Sequence, residues 1–230
     1  MNIHLSNKKI KQIKDLVEVV ILKTTEDLEK GEKELLDNIF FSKKSFNIYF
    51  NSLNNRLYVS CLKLKKENIK TAFFKVVEFI KKTKINSLKI DIVQNNKELN
   101  ISNIIEGLYF GNYEFNEYKS EKSKKENFDI FIFIEKSKKE ISHFEEQLLK
   151  TINICKSINF TRDIVNTTPQ DYYPEIMAND ALEIAKNKNI ECKIFGEDYL
   201  KQNDMNAMFC VGKESIHESK LIHLTYKPKN

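Results

Sequence analysis

The sequence predicts an α/β fold in two blocks. An N-terminal mixed-sheet α/β domain spans residues 1–140, a long linker helix spans 141–166, and the first elements of a second α/β domain occupy 167–230. Three observations carry this. Strand-type and helix-type apolar periodicities alternate along the chain. Glycine (5) and proline (3) are scarce in 230 residues, against a turn-dense β-sandwich. The chain is 41% hydrophobic and 31% charged, enough apolar material to bury a core.

Leu16 to Leu22 is a run rich in β-branched residues, read as a strand. Phe46 to Phe50 and Leu57 to Leu64 flank the turn-like stretch Asn51-Ser-Leu-Asn-Asn55 and read as a hairpin. Leu57, Val59 and Cys61 share one face of its second strand. Asn68 to Lys84 switches to helical spacing, with Ile69, Ala72, Phe73, Val76, Val77 and Ile80 on one side and lysines opposite. Ser87 to Val93 reads as a strand, Glu98 to Phe110 as a helix carrying Ile101, Ile104, Ile105 and Leu108, and Phe128 to Ile134 as a strand covered on both faces. Tyr118 to Asn127 is the most polar stretch and reads as a loop.

The linker helix carries Ile141, Phe144, Leu148, Ile152, Cys155 and Ile158 as one stripe. It stops before Thr167-Thr168-Pro169, because the residue preceding a proline avoids the helical region. A helix opens at Pro174, where proline suits the first turn, carrying Ile176, Met177, Leu182 and Ala185. Glu191 to Phe195 reads as a strand, Glu197 to Gln202 as a short helix and Leu221 to Tyr226 as a strand. About 70 residues bury little surface alone, so the second block reads as unfinished.

Composition excludes several classes. No apolar run approaches the ~18 residues of a membrane span. Met1 to Lys14 is lysine-rich and lacks a signal-peptide core, so a cytoplasmic location is expected. The net charge is +5, yet only Arg56 and Arg162 are arginines. Readers of nucleic acid favour arginine for bidentate contacts, so nucleic acid is not the expected partner. Cys61, Cys155, Cys192 and Cys210 form no C-x-x-C pair and read as buried free thiols.

Candidate chemistry is sparse. His143-Phe-Glu-Glu lacks the second histidine of H-E-x-x-H, Gln147 standing there. Cys210, His217 and His223 lie near one another in sequence without a fourth zinc ligand. Gly212-Lys213-Glu214-Ser215 fails as a P-loop because Ala207 replaces the leading glycine. No G-x-S-x-G elbow exists. Asp171 and Glu175 flank a helix start, where the helix dipole accounts for them. The residues show no catalytic or metal site.

Three segments nevertheless carry a family signature. Gly107-Leu-Tyr-Phe-Gly-Asn-Tyr-Glu-Phe-Asn-Glu-Tyr-Lys119 resembles the G-L-x-x-G-x-Y-x-F-x-x-Y-K segment of the leucyl aminopeptidases, the cytosol aminopeptidases of peptidase family M17. Thr161-Arg-Asp-Ile-Val-Asn-Thr-Thr-Pro169, then Pro174, resembles their A-R-D-L-V-N-x-P segment. Met205 to Gly212 and Lys220 to Tyr226 resemble G-M-x-x-x-L-x-V-G and P-R-L-I-x-L-x-Y. Asp204 stands where the family usually has glycine, Ser219 where it often has proline, and Lys213-Glu214 for a usual Q-G pair. Residues 1–106 match only in the order of elements.

The resemblance implies an N-terminal domain joined by a long helix to a catalytic domain that holds two divalent metals, Mn or Zn. It implies hydrolysis of N-terminal amino acids from peptides, and hexamers. Two such metals would lower the pKa of a bridging water and polarise the scissile carbonyl. The family's first metal segment, V-G-K-G-x-T-x-D-x-G-G, follows the strand matching Leu221 to Tyr226. The implied catalytic and metal residues therefore fall on no position here, and the chain alone is expected to be inactive and to bind neither metal. Arg162, Asp163, Asn166 and Pro169 form a domain-junction motif with a structural role. Asn166 and Thr167 are expected to close the linker helix, and Arg162 to pair with a carboxylate across the junction. The alternatives are a nucleic-acid-binding module or a standalone oligomerisation or interaction domain, whose unfinished second block would expose apolar surface.

Overall fold

The computed structural model describes residues 1–8, 13, 15–22, 31, 33–34, 36, 47–61, 65–83, 85–92, 100–121, 127–134, 138–186 and 189–228. Parts of several expected elements (Phe46, 62–64, 84, 93 and 98–99) and residues 122–126 of the polar loop lie outside the described residues. The chain divides into two compact units, Met1–Thr161 and Arg162–Asn230.

The first unit is a six-stranded sheet whose main core lies between one face and the helices packed on it. Its strands are β1 (Asn2–Ser6), β2 (Val17–Leu22), β3 (Ile48–Asn51), β4 (Arg56–Ser60), β5 (Ser87–Ile92) and β6 (Asp129–Ile134). They lie in the order β1-β6-β5-β2-β4-β3. All neighbours are parallel except the β3–β4 hairpin, so the sheet is mixed, as the sequence predicts. Helix α1 (Lys66–Ile80) links β4 to β5, and α2 (Ile101–Asn112) links β5 to β6. The buried positions of α1 are the six the periodicity picks out: Ile69, Ala72, Phe73, Val76, Val77 and Ile80. Asn100 caps α2, its side chain accepting from the Ser102 amide at 2.8 Å.

Odd and even strand positions separate cleanly. Val17, Val19, Leu57, Val59, Leu88, Ile90, Ile130 and Ile132 face α1 and α2 in the main core. The opposite face is only partly apolar: Leu22 and Tyr58 pack there with Leu36. Tyr58 and Ser60 are therefore buried as well as Leu57 and Val59, and β4 is covered on both faces rather than on the one face the alternation marks.

A row of charges crosses this second face. Glu18 on β2 is in register with Arg56 on β4 and Lys89 on β5. Arg56 Nε donates to its Oε2 at 3.0 Å and Lys89 Nζ to its Oε1 at 3.2 Å, while Lys89 also reaches Asp91 at 2.7 Å. Burial works to raise the Glu18 pKa, but hydrogen bonds from Arg56 and Lys89 outweigh it and hold the carboxyl below its ordinary value.

Helices α1 and α2 approach closely because α2 carries Gly107 and Gly111 one turn apart, both buried. A Cβ on Gly107 would lie 2.5 Å from the Lys70 carbonyl oxygen and 2.8 Å from Phe73 Cβ. On Gly111 it would lie 2.8 Å from the Phe74 carbonyl oxygen and 2.9 Å from Val77 Cβ. Both glycines are needed for their lack of a side chain.

Helix α3 (Lys138–Asn166) is a single 29-residue element. Its buried residues are Leu148, Thr151 and Cys155, with Phe144 and Ile152 half-buried against the core. Thr151 also donates to the Ser102 hydroxyl on α2 at 2.9 Å. Ile158, read from the sequence as part of the same stripe, is exposed. Its 38% exposure places the end of the packed stripe at Cys155.

The second unit contains α4 (Pro174–Ala185), β7 (Ile190–Phe195), α5 (Glu197–Gln202), α6 (Asn206–Gly212) and β8 (Leu221–Tyr226). β7 and β8 pair antiparallel, Ile190 opposite Tyr226 and Phe195 opposite Leu221. The buried apolar residues here are Ala178, Ala181 and Leu200. Met177 and Leu182, expected to face the core, are exposed; the inner face of α4 is made of alanines instead. Phe195 stacks on Tyr199 with centroids 4.1 Å apart, and Lys201 sits 4.7 Å above the Phe209 ring.

Candidate functional site

The polar groups of the second unit are organised around the stretch that follows α3. Thr167 closes that helix with two bonds to one carbonyl. Its amide and its hydroxyl both donate to the Asp163 oxygen, at 2.9 and 2.7 Å. The next turn centres on Pro169. The Asp171 and Tyr172 amides donate to the Thr168 carbonyl, each at 3.0 Å, and the Thr168 hydroxyl donates to Asp171 Oδ2 at 2.9 Å. Pro174 then occupies the first turn of α4, where a missing N–H costs no helical bond.

Side chains from this turn tie down its surroundings. The Tyr172 hydroxyl donates to Asp180 Oδ2 at 2.8 Å. Burial, and then that bond to a carboxylate, push its pKa up to about 12. Tyr173 stacks on His217 with rings 3.8 Å apart and 9° from parallel. Lys220 bridges Glu218 at 2.7 Å and Glu175 at 3.3 Å, and the Glu218 bond is the main reason its pKa is raised. Glu218 Oε1 accepts the Glu197 amide and Glu197 Oε1 the Ser219 amide, both at 3.1 Å, a reciprocal clasp between the start of α5 and the approach to β8.

These contacts decide several sequence candidates. Asp171 and Glu175 are each engaged, by Thr168 and by Lys220, and are not an acid pair. Gly212 ends α6 and Lys213 caps it, so the Gly212-Lys213 pair is a helix terminus and not a phosphate loop. His143 and Gln147 pair with each other along α3 at 3.2 Å. His217 is committed to its stack, His223 lies on β8 beside Thr225, and Cys210 is exposed on α6. Among the described residues no three His, Cys, Asp or Glu side chains converge to hold a metal ion. The described residues offer no set that fits a two-metal centre, and no hydrolytic step is derived from them. The four cysteines are free; only Cys61 and Cys155 are buried, where the sequence reading had all four so. Burial, and secondarily Glu106, push the Cys155 thiol up to about 11, which makes it inert.

Asp204 adopts φ 55°, the left-handed region. It follows the cap residue Asn203 of α5. The Met205 amide donates back to the Leu200 carbonyl at 2.9 Å and the Asp204 amide to Lys201 at 3.4 Å. This is a Schellman ending, whose left-handed position glycine fills best. A Cβ on Gly212 would overlap the buried Ser219 hydroxyl. Sequence reasoning had no signal for either requirement beyond the family pattern itself.

The catalytic-domain model of the cytosol aminopeptidase family matches residues 159–230, and the N-terminal-domain model of the same family matches residues 60–122. A "probable cytosol aminopeptidase" of Campylobacter jejuni is 34% identical, aligned over all of this chain and 48% of its own length. One from Wolinella succinogenes is 29% identical over 86% of this chain and 42% of its own length. Among solved structures, a mutant of tomato leucine aminopeptidase superposes with TM-score 0.79 at 16% identity, covering 100% of this chain and 52% of that one. The bottromycin maturation enzyme BotP in complex with Mn gives TM-score 0.68 at 14% identity, covering 94% and 46%. An α/β chain whose organised polar network lies in the segment after a long helix, matched in order by both domain models, belongs to the cytosol aminopeptidase family. It spans about half the length of the curated relatives it matches. The Campylobacter alignment also extends the likeness into residues 1–106, where the motifs alone carried none.

Proposed function

We propose that these 230 residues are the N-terminal portion of a cytoplasmic leucyl aminopeptidase, an enzyme that removes N-terminal amino acids from peptides with two divalent metals, Mn or Zn, and works as a hexamer. On this reading residues 1–140 are the N-terminal domain, 141–166 the linker helix and 167–230 the opening of the catalytic domain. The observation that carries it is the pair of domain models matching in chain order, 60–122 and then 159–230. Arg162, Asp163, Asn166 and Pro169 serve as a structural junction motif, a role consistent with Thr167 capping the helix on the Asp163 carbonyl. When bound, the metal pair would supply an activated water and polarise the carbonyl. The residues described here have no converging set to hold it, and we assign none of them to that centre.

The chain by itself is accordingly proposed to be inactive. Assayed on leucine amide or a leucine anilide with added Mn, it should give no turnover above the blank; turnover would overturn the inactivity. The coding sequence after Asn230 tests the larger reading, which requires a V-G-K-G-x-T-x-D-x-G-G segment there. Nucleic acid is not the proposed partner, since all but two of the basic residues are lysines. The partly buried lysines Lys70, Lys81, Lys89 and Lys220 are all held by carboxylates.

A further inference from the structure

We draw no further inference here: the strongest candidate, the crevice at the carboxyl ends of β2 and β5, where the strand connections leave in opposite directions and one Asp91 carboxylate oxygen is buried without a hydrogen-bond partner, carries nothing, because the residues that follow the two strands (23–30 and 93–99) lie outside the described residues and the Asp91 side chain is 25% exposed and already paired with Lys89.

Discussion

Gly107→Ala adds one methyl group where α2 crosses α1, and the geometry dictates its cost. The new Cβ would sit 2.5 Å from the Lys70 carbonyl oxygen and 3.1 Å from Lys70 Cα, both backbone atoms that no rotamer change can move aside. The helices must part by several tenths of an ångström along a seam that includes Phe73, Val77, Ile104 and Leu108, all fully buried. Overpacking of this kind costs about 1–3 kcal/mol, and contact with backbone puts it at the upper end. Alanine returns about 1 kcal/mol because it is the better helix residue. The net loss is about 1–2 kcal/mol, or roughly 2–8 °C in the melting of a unit this size. Gly111→Ala should behave alike. The double variant should cost less than the sum, since one separation relieves both contacts. Gly31→Ala, with nothing within 4 Å of its added Cβ, is the control and should be neutral or slightly stabilising. Urea unfolding followed by far-ultraviolet circular dichroism reads the midpoints, with exchange of the α1 amides reporting on the first unit. A Gly107→Ala protein as stable as the parent would refute the reasoning.

Two further outcomes follow from single positions. Asp204→Gly removes a Cβ from the left-handed position after α5 and should raise the stability of the second unit by about 0.5–1 kcal/mol; a decrease in its denaturation midpoint would contradict the Schellman assignment. Glu18 has its folded pKa below the ordinary 4.5, so its stabilising share is present above that value and lost as the pH falls through the folded pKa. Unfolding midpoints of the first unit should therefore hold between pH 7 and 5 and fall below about 4.5, and Glu18→Gln should cost about 1–2 kcal/mol at pH 7 while flattening the acid limb; an acid limb unchanged in the variant would place the titration elsewhere.

The sequence was most legible where periodicity is long and one face is buried. The six core positions of α1 follow from helical spacing alone, because the opposite face meets water. Legibility failed where a segment is short or its apolar atoms are few. β1 was missed: Asn2–Ser6 offers only Ile3 and Leu5 on the inner face, within a lysine-rich start, and it takes its strand form from pairing with β6. α6 was missed because none of its seven residues is buried. On α4, large side chains drew attention to Met177 and Leu182, while the close approach of β7 and β8 selects Ala178 and Ala181. Small residues at a tight contact leave little trace in hydropathy. The candidate site was legible chiefly as an absence of motifs. The pair Tyr172–Asp180 and the cluster of Lys220, Glu175, Glu218 and Glu197 join residues up to about 45 apart along the chain, and spacing does not announce such pairs.

The residues that made the family recognisable act here through packing and backbone conformation. Gly107 and Gly111 let two helices touch through their backbones. Position 204 requires a left-handed residue, which explains why the family uses glycine there and why aspartate, tolerated in that region, is a strained substitute. Gly212 leaves room for the residue at 219, and serine at 219 fills that room with a hydroxyl. The departure at Asp204 thus falls on a turn whose geometry the chain keeps, at some cost in stability. A signature built from such positions testifies to a backbone path. It would persist in a chain that had lost every catalytic group, so the absence of converging ligands among the described residues and the strength of the family match are compatible findings. Activity has to be tested on the chemistry itself, by turnover with added metal, because no variant at Gly107, Asp204 or Gly212 can report on it.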